Sequence, residues 1–500
     1  MIQAVLKTSL LFVSIAFILL FAADLEVTTL NPWQELQRMA IGAVVPDFMA
    51  VYAVKEAFLN TVVFAFCGIF LSIFMGSVLA FFFEWKPVRL FCAFIRAVHE
   101  LFWALIFLPV VGLNPLCGVF AIAVPYTGIF AKVYAEIRQE SDHSPLKAFP
   151  PHSSRVSQFF YGVLPAIYAD IKHYSAYRLE CALRSSAILG FVGLPTLGFH
   201  LETAFREGLY SEVFAILYCF YFLIASLKYW IKEKVSWIYV VLAFVFISKE
   251  VSLSWQNFTR FFTYEILPWP MRRRGVLDGT MDVSFSSDSV WNWGKNILQT
   301  EGFDGVWNTI VLTQVVLVGT GVMTLIVFPL VCQHFQQGIP RRCSRYLLIV
   351  IRTTPEYILA YAFLQLWGPS MLPAIVAIGL HNGAILGHLT GQNADLIQLR
   401  ADTPRGKINR YFFEVLPRVY GQFLAFLFYR WEVMMRESAI LGILGIYTLG
   451  FYIDSAISDD KMDKAVFLIL MTALLNMVID TTSQVIRKRL KISTKLTTSG

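Results

Sequence analysis

The chain has 500 residues, of which 57% are hydrophobic and only 15% charged, with a mean hydropathy of +0.61. Soluble domains carry about a quarter charged residues, so this usage excludes a soluble globular protein and identifies a polytopic membrane protein. The formal net charge of +7 is small for this length and gives no sign of a nucleic-acid partner, so the positions of the charges carry the information.

Taken in order, the chain opens with Lys7 and the apolar run Ser9–Ala23, whose Ala22-Ala23 resembles a secretory cleavage site. A comparable run, Trp237–Ile247, opens the second half, where no signal peptide can sit, so the first run reads as an uncleaved span. Apolar stretches able to approach the roughly 20 residues that a bilayer requires are expected near 5–23, 57–83, 88–111, 115–134, 160–190 and 209–228. A second set is expected near 236–250, 305–331, 345–367, 371–390, 412–442 and 463–481. The fold class is therefore all-α, with about 12 transmembrane helices. Seven cysteines are scattered through apolar stretches without a CxxC and read as small buried hydrophobes.

The two sets are copies. Residues 177–199 read YRLECALRSSAILGFVGLPTLGF and residues 429–451 read YRWEVMMRESAILGILGIYTLGF, identical at 14 of 23 positions and 252 residues apart. Leu59-Asn60-Thr61-Val62 matches Trp307-Asn308-Thr309-Ile310, Ile95-Arg96 and Glu100 match Ile351-Arg352 and Glu356, and Val163-Leu164-Pro165 matches Val415-Leu416-Pro417. The expected domains are 1–234 and 235–500, the second with an external loop at about 250–303. An even number of spans per half makes them parallel six-helix repeats. Lys86 and Arg89, Arg138, Lys147, Lys232, Arg341, Arg410 and Arg487 then fall on one face, which the positive-inside rule makes cytoplasmic together with both termini. Arg272-Arg273-Arg274 lies in the external stretch, which reads as a loop or surface helix; long loops cross regardless of charge.

Charges within the apolar spans fall four apart: Arg96 and Glu100, Glu180 and Arg184, Arg352 and Glu356, Glu432 and Arg436. That spacing predicts pairs on one helix face, which lowers the cost of charge in hydrocarbon. Arg178 and Arg430 have no partner by this rule. One reading makes them cationic groups beside a central pathway for an anion; the other makes them packing ties to helix-end carbonyls or to carboxylates of the other half. His381, Asn382 and His388 read as helix-packing hydrogen bonders, with no metal-ligand spacing. Gly190, Gly193 and Gly198, with Gly442, Gly445 and Gly450, permit either close helix approach or a helix break.

These motifs, together with PDF at 46–48, NTV at 60–62, IRAVHELFWALIF at 95–107 and YGVLP at 161–165, resemble the permease subunit of phosphonate-type ABC importers, in the binding-protein-dependent transport family. The chain resembles two such subunits fused. The resemblance implies a type I importer permease fold in the bacterial inner membrane, with a periplasmic substrate-binding protein delivering an organophosphonate or related phosphorus oxyanion and two ATPase subunits supplying energy. It implies ATPase-coupling loops at Ser144–Ser157 and Ala394–Asn409. The family's Glu-Ala-Ala falls on Leu146-Lys147-Ala148 and Gln398-Leu399-Arg400, and its glycine on His152 and Pro404. Histidine and proline cannot reproduce the glycine's backbone freedom, so the docking turn differs. No GxxxxGK[ST] occurs, so ATP hydrolysis falls to a partner, and no cofactor or catalytic constellation is present in the sequence. Three alternatives remain open: a membrane scaffold or sensor that has lost coupling, an importer for a different small anion, and a secondary transporter driven by an ion gradient.

Overall fold

The computed structural model describes residues 2–29, 31–141, 144–150, 152–248, 254–274, 281–283, 287–401, 406–490 and 492. The main helices are α1 (Ile2–Leu20), α2 (Pro32–Val44), α3 (Lys55–Phe81), α4 (Lys86–Ala97), α5 (Glu100–Val111), α6 (Pro115–Glu140), α7 (Leu164–Ile188), α8 (Leu197–Arg206), α9 (Tyr210–Trp230) and α10 (Glu233–Ser248). They continue as α11 (Ser287–Ile297), α12 (Phe303–Val331), α13 (Gly338–Thr353), α14 (Glu356–Trp367), α15 (Met371–Asp395), α16 (Leu416–Glu437), α17 (Leu449–Ser458) and α18 (Met462–Leu490). A two-stranded antiparallel ladder joins Arg272–Arg274 to Met281–Val283.

Long helices such as α3 and α12 are apolar on every side, the pattern of a helix buried in protein or lipid. Among the described residues, seven helices are long and apolar enough to cross a membrane, or up to ten if each bent pair is one span; Trp237–Ile247 is a shorter apolar helix. The expected spans at 88–111 and 345–367 are not straight. Each is broken by 92°, between α4 and α5 and between α13 and α14. Extended residues separate the two parts: His99 caps α5 by accepting from the Leu101 N–H at 3.2 Å, and Pro355 heads α14, where its ring forbids continuation of α13.

The chain divides into two compact units, Ile41–Ile266 and Met1–Ala40 with Leu267–Gly500. These differ from the sequence repeats at 1–234 and 235–500 because each repeat's leading helix packs outside it. α1 lies on helices of the second repeat: the Phe12 ring is 5.2 Å from Phe428, and Tyr420 donates to Ser9 Oγ at 2.9 Å. α10 lies on α3, with Phe66 against Tyr239 and Phe70 against Phe244 at 6.1 and 6.0 Å.

The repeated 23-residue block builds one structure in both units, a helix that ends, turns and recrosses itself. α7 runs through a short 3-10 stretch and a left-handed Gly193 (φ +86°) into α8, a bend of 56°. Gly445 (φ +85°) makes the equivalent turn before α17. At the crossing, a Cβ on Gly190 or Gly198 would fall on the backbone of Phe199 or Ala187, and a Cβ on Gly442 or Gly450 on that of Phe451 or Ala439. The glycines therefore serve both uses left open by the sequence, break and close approach.

The matched Asn-Thr pairs secure this turn. Thr61 Oγ1 accepts from the Leu197 N–H at 3.0 Å and Thr309 Oγ1 from the Leu449 N–H at 3.1 Å, each capping a helix start. Asn60 donates to Pro195 O and Asn308 to Tyr447 O, at 3.1 and 2.8 Å. Thr61→Val and Thr309→Val keep the shape and lose the cap, so each is expected to cost about 1–2 kcal/mol, measured as thermal stability of the purified chain in detergent. Thr61→Ser, which retains the hydroxyl, should recover most of that loss.

The expected external stretch contains the short helix Trp255–Arg260, the ladder and α11. Arg272 is held by Asp463 at 2.9 Å, and Asp463 also accepts from the Trp269 N–H at 2.8 Å.

Candidate functional site

The 92° bends set a glutamate at the start of a helix in each unit. Glu100 and Glu356 are both first-turn residues, where the helix dipole favours negative charge, and both are buried. The same bends correct an expectation: Arg96 and Glu100, like Arg352 and Glu356, lie on separate helices rather than on one face. Helical i,i+4 geometry needs an unbroken helix, and His99 and Pro355 interrupt it.

In unit 41–266, Ser185 Oγ donates to Glu100 Oε1 at 3.1 Å, and Tyr126, whose hydroxyl is 3.1 Å from Ser185 Oγ, supplies the next donor. His99 Nε2 is 3.4 Å from Glu100 Oε2. Arg178 donates to Tyr174 OH at 2.7 Å and places its guanidinium 5.1 and 5.6 Å from the Tyr174 and Tyr177 ring centres. Aromatic faces and a hydroxyl of its own helix thus take part in holding this cation. Glu180 and Arg184 do pair along α7, at 3.8 Å.

The other unit carries a more charged version. Arg430 Nε donates to Asn382 Oδ1 at 2.7 Å, Asn382 Nδ2 donates to Glu437 Oε2 at 3.0 Å, and Arg430 Nη2 closes the ring 3.7 Å from Glu437 Oε1. Arg430, without a partner by the spacing rule, has one seven residues on, two helical turns along the same face. Glu432 and Arg436 stand half-buried on the same helix.

Beside this ring, His381 Nδ1 lies 2.9 Å from Thr354 O, which turns Nε2 toward Glu356 Oε2 at 3.8 Å. Ligand atoms of Glu356, His381 and Glu437 all lie within 4.8 Å of one another, making these the described residues able to hold a metal ion.

Four places are therefore shared at the repeat offsets: Glu100 and Glu356, Tyr126 and Asn382, Arg178 and Arg430, Ser185 and Glu437. Each unit thus has a carboxylate at a bend, a polar side chain on the following long helix, and a cation with a polar residue seven positions beyond it.

At the loops, Leu146, Lys147 and Ala148 form a 3-10 turn in which Lys147 and Ala148 are exposed. Leu146 and Phe149 pack where a Cβ on Gly162 would lie 3.0 Å from each, and His152 is exposed. In the other loop Leu399 packs against the core of Phe328, Ile397, Val415 and Val419, while Gln398 and Arg400 are exposed. Buried Glu414 ties this loop down, accepting from the Arg400 N–H at 3.3 Å and from Arg418 at 2.8 Å; Arg418 also donates to Gln398 O at 2.8 Å. Pro404 lies outside the described residues. Glu414→Ala leaves both donors without their acceptor and is expected to raise protease sensitivity at 398–401 while changing thermal stability by about 1–3 kcal/mol.

Comparison with known proteins extends this picture. The phosphite transport system permease protein PtxC of Stutzerimonas stutzeri is 28% identical over 200 residues, 38% of this chain and 73% of its own length. The phosphate-import permease protein PhnE of Mycolicibacterium smegmatis is 24% identical over 438 residues, 80% of this chain and 77% of its own. A putative cryptic phosphonate transport system permease protein, PhnE2 of Escherichia coli, is 26% identical over 98 residues, 19% of this chain and 80% of its own. The chain is a homologue of phosphite, phosphonate and phosphate transport permeases. No family model and no solved structure matches it.

By its matched shares, PtxC is roughly half the length of this chain, which agrees with two permease units in one polypeptide. In this permease homologue sequence reasoning had missed Ser185, Glu437 and Tyr126. Ser185 and Glu437 stand immediately before the repeated Ser-Ala, but they differ between copies, so a search for identities passes over them.

Proposed function

We propose that this chain is the membrane-spanning permease of an ABC importer for a phosphonate or related phosphorus oxyanion, powered by two separate ATPase subunits and supplied by a substrate-binding protein. The sequence repeats 1–234 and 235–500 act as the two permease units usually contributed by separate chains, in the inner membrane with both termini cytoplasmic. The observation that carries this reading is the shared set of buried carboxylate, polar and cationic positions at the bends of both units, in a chain whose relatives are named for phosphite and phosphate transport. Arg178 and Arg430 supply the positive charge that favours an oxyanion at these bends. The exposed residues of the two loops, Lys147, Ala148 and His152 with Gln398 and Arg400, present the docking surfaces for the ATPases.

The test is a mild-detergent pull-down of tagged protein from native membranes, with and without replacement of 144–157. Recovery of an ATPase subunit that is lost on replacement supports the importer. A chain purified without one, together with uptake that survives ATP depletion and collapses with the membrane potential, would place it among ion-driven carriers.

A further inference from the structure

We infer that unit 41–266 carries a specific site for an anionic phospholipid. A groove of about 670 Å³ opens between α3, α7 and α10, walled by Ile69 and Ile73, by Ile167 and Leu179, and by Trp237 and Val240. Among the described residues that line it, the cations are Arg138 and Lys172.

These two cations lie at one level. Tyr134 and Ser175 are joined at 2.6 Å, and with Tyr126 and Ser185 at 3.1 Å they show that α6 and α7 run antiparallel. Arg138 is four residues past Tyr134 and Lys172 three before Ser175, so both sit about 5 Å to the same side of that bond. Arg138 also contacts Glu84 at 3.5 Å, but Glu84 is 71% exposed and screened, so this bond is weak. One end of an apolar groove is thereby basic and the rest is hydrocarbon-like, which matches a lipid phosphate with acyl chains extending from it.

The other repeat supplies an internal comparison. At the repeat offsets, Arg138 becomes Ala394 and Lys172 becomes Leu424, both buried. There α1 fills the corresponding space, with Tyr420 bonded to Ser9 at 2.9 Å and Phe12 against Phe428 and Trp431 at 5.2 and 5.5 Å. The cations are present where the groove is open and absent where protein closes it.

The test uses the full-length chain in nanodiscs, with native mass spectrometry of retained lipid and dioleoylphosphatidylglycerol or dioleoylphosphatidylcholine as probe. The wild type is expected to retain phosphatidylglycerol about tenfold or more in preference to phosphatidylcholine, and Arg138→Gln with Lys172→Gln to reduce that to near unity. Ala176→Trp, an exposed groove residue whose replacement leaves the cations intact, should expel the lipid by filling its space, so the test survives any misfolding of the double variant. Equal retention of the two lipids by the wild type, or an unchanged preference in Ala176→Trp, overturns the site. Displacement by millimolar inorganic phosphate alone also overturns it, by showing that a free anion suffices.

Discussion

Gly198→Ala and Gly450→Ala are each expected to abolish accumulation of the folded chain in the membrane. The added methyl would meet the carbonyl of Ala187 or Ala439, which is helix backbone and not the movable end of a side chain. Overpacking that side chains can absorb typically costs 1–3 kcal/mol, and a clash requiring two helix ends to separate should cost about 3 kcal/mol or more. Separation would also strain the Thr309 cap on Leu449 and the Asn308 bond to Tyr447. Gly379→Ala is the control: apart from its own stretch of helix, no described atom lies within 4 Å of an added Cβ, and it is interior to α15, so the change should be neutral or stabilising by about 0.5–1 kcal/mol. Membrane abundance and thermal stability in detergent give the comparison. Wild-type values for Gly450→Ala would mean that the crossing tolerates a methyl and that the repeat is retained for another reason.

Arg430→Ala should have the next largest effect. It leaves Glu437, only 11% exposed, without its cation and Asn382 without its donor. Removing one member of a buried pair costs about 3–5 kcal/mol because the remaining charge stays desolvated. Adding Glu437→Gln removes that charge and should restore most of the stability, a non-additive result that identifies the pair as a unit. Uptake then separates the two roles of the arginine. A stable Arg430→Ala/Glu437→Gln chain that fails to support uptake of the proposed anion would assign Arg430 to transport, whereas restored uptake would assign it to packing. Arg178→Ala is the counterpart in the other unit, where Tyr174 and Tyr177 take part in holding the guanidinium. Loss of uptake there at wild-type abundance would be the sign of a role toward the proposed anion, and equal loss of abundance the sign of packing.

What the sequence determined by itself was whatever depends on composition and on identity between copies. Apolar runs declared a membrane protein, and the matches between the two copies located the arginines, the Glu180–Arg184 pair, the Asn-Thr pairs and the crossing glycines, because the same local geometry needs the same residue in both places. Only the tertiary structure decided how these residues meet. A 92° break at His99 and at Pro355 turned two expected helical pairs into residues of separate helices, and α1 and α10 crossed the repeat boundary to pack where their apolar faces found partners. The ring of Arg430, Asn382 and Glu437 joins residues up to 55 positions apart, one of them matched by serine in the other copy. Spacing rules describe neighbours along one helix, whereas a buried charge in a membrane protein is satisfied by whichever helix folding brings beside it.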